Sequence, residues 1–353
     1  MTLERLRRDA IRRSLFPPVS LRQAIDRLGF VQADPIRSPA RAQDLILRHR
    51  VRQYRAGDLE RHYPSLDIEE DFLYAYGFLP RRNWQLLHPR NTRALTKLDR
   101  RVFDLVTAHN QIHPRELEAH LGREREVNAW GGYSKRTTRT LESLHFRGLL
   151  RIARRDSGIR IYEPAPLRPD PLSSIERLRR LILLIAGILA PVPERSLRET
   201  LRHLAHAVPG LVCKPTLIAS LLKSGDLESA EIEGMEYIWP AGKIVASEPP
   251  RVVRFLAPFD PLVWDRRRFE HFWDWRYRFE AYTPPSKRKM GYYAMPLLWV
   301  DSVIGWANVA RKESGVDVEL GFIGNRPNTT EFDRALESEI ASMRVFLAAA
   351  EGT

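Results

Sequence analysis

The stretch Gln32-Ala33-Asp34-Pro35 carries the sharpest chemical possibility in the chain. In an extended segment alternate side chains share a face. Gln32 and Asp34 are therefore expected to point together, with Val31 and Ala33 turned toward the core. Pro35 biases Asp34 itself toward extended geometry. An amide beside a carboxylate, flanked by Arg37 and Arg41, can hold one water against a reacting carbon. A plainer reading stands beside it, with Asp34-Pro35 as a turn and Gln32 in solvent.

Other residue sets fit chemistry less well. His109 and His113 are separated by Pro114 and a helix break, and His203 and His206 have no carboxylate motif nearby, so neither spacing makes a metal site. Asp67, Glu69, Glu70 and Asp71 form an acidic knot. It reads as a solvated helix start before Phe72-Leu73-Tyr74, with a nuclease-type metal site as the alternative. Lys287-Arg288-Lys289, between Pro285 and Gly291, is a basic loop suited to phosphate contact or an exposed turn. No phosphate-binding glycine loop, dinucleotide fingerprint or Gly-x-Ser-x-Gly elbow occurs. The single Cys213 excludes a disulfide framework and a multi-cysteine metal centre.

Charge points to a partner. Among 353 residues, 57 Lys and Arg oppose 44 Asp and Glu, a net of +13. Such an excess suggests a polyanion, nucleic acid before membrane. Residues 1–62 carry 14 Arg against seven acidic residues, and residues 135–160 carry eight Lys and Arg against Glu142 and Asp156. Localised basic segments lay phosphate contacts along one path. The apolar run Leu181–Val192 is far shorter than the roughly 20 residues that span a bilayer. The N-terminus lacks a signal-peptide pattern, so the expected location is the cytoplasm.

The elements that must position these residues read as an α+β chain in four parts. Residues 1–95 start with a basic helix, Leu3 to Phe16. Ser20 and Gln23 form a capping box for a second helix stopped by Gly29. An extended Phe30–Ile36 follows, and Ser38-Pro39 opens the next helix. Residues 96–168 read as three helices, opened at Leu98, His113-Pro114 and Ser134, then a hairpin around Asp156-Ser157-Gly158. That is winged-helix order, with Lys135, Arg136 and Arg139 on the third helix facing a groove. Residues 169–248 repeat it, with a helix at Ile175–Ala190, two more opened at Ser196 and Lys214, and an acidic hairpin at Leu227–Trp239. Residues 249–353 predict a small β domain, with strands at Arg276–Tyr282, Tyr292–Leu298 and Val303–Ala310, then a helix over Glu331–Ala350.

At this point the sequence resembles a family. Val31-Gln32-Ala33-Asp34-Pro35-Ile36 resembles the Gln-x-Asp signature of the bacterial winged-helix DNA glycosylases of the AlkZ/YcaQ type. Trp130-Gly131-Gly132-Tyr133-Ser134-Lys135 and Leu144-His145-Phe146-Arg147-Gly148-Leu149 resemble its second winged helix. Ala257-Pro258-Phe259-Asp260-Pro261-Leu262-Val263-Trp264-Asp265-Arg266 and the run from Lys287-Arg288 to Gly291-Tyr292-Tyr293 resemble its C-terminal β-barrel. Members that specialise in one natural-product adduct carry Gln-x-Gln, so Asp34 resembles the YcaQ-like side.

The resemblance implies three tandem winged-helix (helix-turn-helix) units and a small C-terminal β-barrel around duplex DNA carrying alkylated bases. It implies monofunctional excision of N7-alkylated purines, including interstrand crosslinks, by a monomer without metal or cofactor. Asp34 would stabilise the cationic sugar and Gln32 would help to align water. Arg37, Arg41, Lys135, Arg136, Arg139, Lys287, Arg288 and Lys289 would meet DNA. The competing class is a non-enzymatic winged-helix regulator, and a strand-nicking nuclease or lyase is a further alternative. If a general acid exists, His49 and His62 are the first places to look.

Overall fold

A computed structural model describes residues 1–90, 93–122, 125–127, 133–166, 172–211, 215–245, 247–312 and 315–348. Among these, fourteen α-helices and fourteen strands form a mixed α+β fold. The N-terminal part contains α1 (Leu3–Ser14), α2 (Leu21–Leu28), β1 (Val31–Gln32), α3 (Ala42–Leu47), α4 (Asp58–His62), β2 (Ile68–Phe72), β3 (Tyr76–Pro80) and α5 (Arg81–Gln85). The second part contains α6 (Lys97–His109), α7 (Pro114–Leu121), β4 (Arg125–Val127), β5 (Tyr133–Lys135), α8 (Arg136–Phe146), β6 (Leu150–Asp156) and β7 (Ile159–Pro164). The third contains α9 (Ser174–Ile188), β8 (Val192–Pro193), α10 (Glu194–Ala207), α11 (Pro215–Lys223), β9 (Leu227–Ile232) and β10 (Met235–Pro240).

These three parts share one plan. Each runs helix, short extended segment, two helices, hairpin. In each, the short segment pairs antiparallel with the hairpin's second strand. Val31 and Gln32 pair with Phe78 and Gly77, Ile112 bridges Tyr162, and Val192 and Pro193 pair with Ile238 and Tyr237. The signals behind this order are local. Ser20 and Gln23 close a reciprocal cap on α2, and Gly29 ends it at φ 71°. His113 caps α7, where Pro114 fills the first turn without losing a needed donor.

The C-terminal part contains β11 (Val253–Phe255), α12 (Pro261–Trp264), α13 (Arg266–Trp273), β12 (Met295–Trp299), β13 (Ser302–Lys312), β14 (Gly315–Phe322) and α14 (Thr330–Ala348). Its strands lie in the order β11-β12-β13-β14, a curled half-barrel that α14 packs against. The expected barrel is therefore open among the described residues. The Arg276–Tyr282 run supplies no strand to close it. Its side chains serve elsewhere, with the Tyr277 hydroxyl donating to the Ala294 carbonyl at 2.7 Å and the Glu280 carboxylate accepting from loop amides.

Three apolar cores all draw on the N-terminal part, which makes it the hub. One joins Ile25, Val31 and Phe78 to Leu144, Ile152, Met295 and Phe346. A second joins Leu79 and Trp84 to α9–α11, and a third buries Leu6, Ala10 and Ile11 of α1 beside Trp239, Phe269 and Phe272. At roughly 25 cal/mol per Å² of apolar area, these shared cores are what hold the four parts together.

Several expectations need correction. Arg41 stands at the N-cap position of α3, which begins at Ala42 and not at Ser38-Pro39. Lys135, rather than Ser134, precedes α8, and α10 starts at Glu194. The Arg-rich N-terminus is not a free cationic face. Arg12 and Arg13 bind the buried Asp9, Arg8 binds Asp301, Arg48 binds Glu339 and Arg50 binds Asp260. The acidic knot is no solvated helix start. It is β2, and Glu69, Glu70 and Asp71 are each at most 2% exposed. Its burial is possible because cations from distant elements meet it. Arg151 and Arg81 reach Glu69, Arg155 and the Tyr76 hydroxyl reach Glu70, and Arg90 and the Trp84 indole N–H reach Asp71. Trp130–Gly132, Lys214, Cys213 and the last residues of the expected 331–350 helix lie outside the described residues. Among the described residues, no helix is long and apolar enough to cross a membrane.

Candidate active site

Asp34 sits just past the end of β1. Strand β3 holds that end in place, because the Ala33 N–H donates to the Tyr76 carbonyl at 2.9 Å. Gly77 permits the close approach. A Cβ there would lie 2.3 Å from the Val31 carbonyl oxygen and 2.6 Å from the Phe30 ring. Asp34 then turns the chain, its Oδ1 accepting the Ile36 N–H at 2.9 Å. Its Oδ2 makes no hydrogen bond among the described residues. Burial raises the Asp34 carboxyl above its ordinary range, opposed by the Ile36 N–H.

The carboxylate lines a cleft of about 430 Å³ with Ala33, Pro35, Arg37, Arg41, Gln43, Tyr76, Phe78, Arg155 and Arg160. An adjoining cleft shares Arg37 and Arg41 and adds Arg311 from β13. Arg37 and Arg311 are exposed and make no ion pair among the described residues. Arg41 pairs with Glu60, and burial followed by the neighbouring Arg37 and Arg155 lowers its pKa. Arg155 and Arg160 face each other across the β6–β7 hairpin, and Arg160 stands 5.0 Å from the Tyr76 ring. Thus the second part's hairpin closes the first part's cleft. The sequence contains these cations as one basic segment, but their destination depends on the buried Arg155–Glu70 and Arg151–Glu69 pairs.

The expected alternation does not persist through Asp34. Because β1 is only two residues long, Ala33 joins Asp34 on the cleft wall instead of facing inward. Gln32 does not line the cleft, and its Oε1 is buried without a hydrogen-bond partner among the described residues. A second unpartnered group comes from far along the chain. The Tyr293 hydroxyl is buried with no hydrogen bond, and its pKa is raised first by burial and next by the Asp34 charge. Sequence reasoning missed Tyr293 as a site residue, although the Gly291-Tyr292-Tyr293 run was within view.

The remaining candidates lie apart from this cleft. Lys135 is held by Glu118 at 2.7 and 3.0 Å, and Arg136 and Arg139 occupy exposed positions of α8. Lys287 and Lys289 are exposed, while Arg288 donates to the Thr283 carbonyl at 2.8 Å and lies over Tyr292. His49 is buried against the Phe255 carbonyl at 3.0 Å, His62 is exposed, and neither lines the cleft. Among the described residues, no group of three His, Cys, Asp or Glu side chains is placed to hold a metal ion.

The long motif after Ala257 is a joint. Asp260 is fully buried, accepts a hydrogen bond from Arg50 at 2.9 Å, lies in an ion pair with it at 2.8 Å, and caps α12 through the Leu262 N–H. Asp265 caps α13 through the N–H groups of Arg267 and Arg268. Trp264 meets Tyr74 edge to face at 4.9 Å. These residues dock the C-terminal half-barrel on the hub, so the motif specifies assembly.

With this geometry in hand, the comparison with known families is direct. The family described as DNA glycosylase AlkZ-like matches residues 25–346. The chain belongs to the AlkZ-like DNA glycosylase family. The match runs from α2 into α14, so it includes β1, the β6–β7 hairpin and the Tyr293 strand approach in one unit of descent. No solved structure matches the chain. Membership of the AlkZ-like family brings DNA as the partner and a glycosylase as the class of enzyme.

Proposed function

We propose that the chain hydrolyses the N-glycosidic bond of N7-alkylated, cationic purines in duplex DNA, including N7-linked interstrand crosslinks, and leaves an abasic site. One observation carries this reading. In an AlkZ-like glycosylase, Asp34 presents an unpaired carboxylate oxygen on a cleft lined by arginines. The base departs as a neutral purine because alkylation has already made it a cation. Water oxygen bonds to the sugar C1′ as the bond from C1′ to the base nitrogen breaks. The electron pair of that bond neutralises the base, and the water's proton passes to Asp34 or solvent. A general acid has no task in this sequence of events. The Asp34 charge favours the oxocarbenium character at C1′. Gln32, whose Oε1 is buried off the cleft wall without a hydrogen-bond partner among the described residues, would align that water by turning its amide into the cleft.

The repeated helix–hairpin plan supports three winged helices, over 1–95, 96–168 and 169–248, followed by a half-barrel domain over 249–353. The protein would act as a cytoplasmic monomer without cofactor. Arg37, Arg41 and Arg311 suit the phosphates nearest the lesion, and Lys135, Arg136, Arg139 and Lys287–Lys289 suit phosphates farther out. The test is incubation with a duplex bearing one N7-methylguanine. Expected products are free 7-methylguanine and an intact strand that breaks only on alkali treatment. Binding without base release would support a regulator, and direct strand breakage a nuclease.

A further inference from the structure

Tyr282 is 81% exposed, more than any other large apolar side chain among the described residues. Water-exposed aromatic rings on flexible loops need no explanation, but this loop is tied at both ends. The Glu280 carboxylate, buried in the fold, accepts the successive N–H groups of Lys289, Met290 and Gly291 at 2.8, 2.8 and 3.4 Å. The Thr283 N–H returns to the Glu280 carbonyl at 2.9 Å, and Arg288 clasps the Thr283 carbonyl. The ring is therefore presented on a preorganised support.

Its position is also directed. Tyr282 meets Phe279 edge to face at 6.2 Å, and Phe279 meets Tyr293 edge to face at 5.3 Å. Tyr293 is the buried residue that feels the Asp34 charge. An aromatic column thus runs from the buried Tyr293 to the surface and ends in an open ring. Exposed Lys287 and Lys289 stand on the same loop. A flat apolar face among unpaired cations matches a base flanked by phosphates. It does not match an apolar protein groove, whose surroundings would not be selected for positive charge.

We propose that Tyr282 stacks on a DNA base left unpaired or unstacked beside the lesion, acting as the surface end of the aromatic column. The proposal rests on reading the Asp34 cleft as the DNA site. It is tested with the full chain by measuring affinity for a duplex containing one abasic site and for the same duplex intact. Base stacking on an aromatic residue, by alanine substitution, corresponds to about 5- to 150-fold in affinity. Tyr282→Ala is expected to lose binding to the abasic-site duplex within that range, with the logarithmic salt dependence unchanged because no phosphate contact is lost. Tyr282→Phe is expected to bind as the original chain does. Wild-type affinity in Tyr282→Ala would overturn the proposal, as would an equal loss in Tyr282→Phe, which would assign the effect to the hydroxyl. Single-turnover release of 7-methylguanine, measured on the same preparations, separates the two readings. Excision by the unsubstituted chain together with normal binding by Tyr282→Ala would remove the stacking role alone. Absence of excision with the expected binding loss would remove the glycosylase reading and leave the stacking role.

Discussion

Two sets of carboxylates in the N-terminal part lie around one three-stranded sheet, and they have opposite surroundings. Asp71 pairs in register with Gly77 on β3, and Gly77 also pairs with Gln32, two residues before Asp34. Asp71 is 2% exposed and receives Arg90 at 3.0 Å and Trp84 at 2.8 Å. Burial pushes its carboxyl up, but His88 and Arg90 outweigh that and hold it well below its ordinary value. Asp34 has one backbone hydrogen bond and a carboxyl raised by burial. A carboxylate with both oxygens held by buried donors fixes structure, because its charge is already matched inside the fold. One with an uncommitted oxygen on a cationic cleft can act on a ligand. Residue type is the same in both places, and the partner set assigns the role.

The largest expected effect comes from neutralising the uncommitted member. Asp34→Asn should lower single-turnover excision of N7-methylguanine by about 10²–10⁴-fold. It should leave DNA binding and the unfolding midpoint close to those of the unsubstituted chain, because no partner is orphaned. Near-normal excision would erase the distinction between the two sets.

Asp71→Asn should behave in the reverse way. It leaves the buried Arg90 guanidinium without its counter-charge, and breaking such a pair costs about 3–5 kcal/mol. Urea unfolding would measure the loss, while excision per folded molecule should stay within a few fold. A stable Asp71→Asn with abolished excision would move the chemistry to β2.

Acid should separate the two sets in the same sample. The raised carboxyl of Asp34 must be ionised to act, so excision should fall as pH drops, with a midpoint above the ordinary carboxylate value of 3.8. Asp71 has a depressed carboxyl. Its contribution to stability is present above its ordinary value of 3.8 and is lost as pH falls below it. Activity should therefore disappear at a higher pH than the fold, as followed by excision rates corrected for spontaneous depurination and by circular dichroism. Coincident loss of both would contradict the contrast.

The smallest effect concerns the cations. Arg37→Ala should flatten the log–log salt dependence of binding by roughly 0.9, the value for one phosphate contact. Lys135→Ala should change it less, because Lys135 is already engaged by Glu118. Equal slopes for Arg37→Ala and the unsubstituted chain would take Arg37 off the DNA path.

How much of this was legible in the sequence follows from the range of the forces involved. The α2 and α7 caps and the hairpins at Asp156-Ser157-Gly158 and Glu233-Gly234 rest on contacts a few residues apart, and they read directly. Asp34 read as a site because Pro35 and the adjacent arginines are local. The acidic run at 67–71 misread because the arginines that allow its burial come from as far as Arg155, 85 residues away. The same distance hid the convergence of Arg155 and Arg160 on Asp34. Tyr293 was hidden because an unpartnered hydroxyl is a property of packing and leaves no mark in composition. The open half-barrel was missed because the aromatic run 276–282 alternates like a strand while its side chains tie a loop.

The central claim is that this site expels only a base that already carries positive charge, since among the described residues Asp34 is the only carboxyl on the cleft, no histidine lines it, and the Tyr76 hydroxyl is committed to Glu70. The direct measurement is single-turnover excision from one duplex sequence carrying N7-methylguanine, uracil or 8-oxoguanine at the same position. Release of the cationic base, with neither neutral base released, is expected. Efficient release of uracil or 8-oxoguanine would contradict the claim and require a proton donor beyond those that line the Asp34 cleft among the described residues.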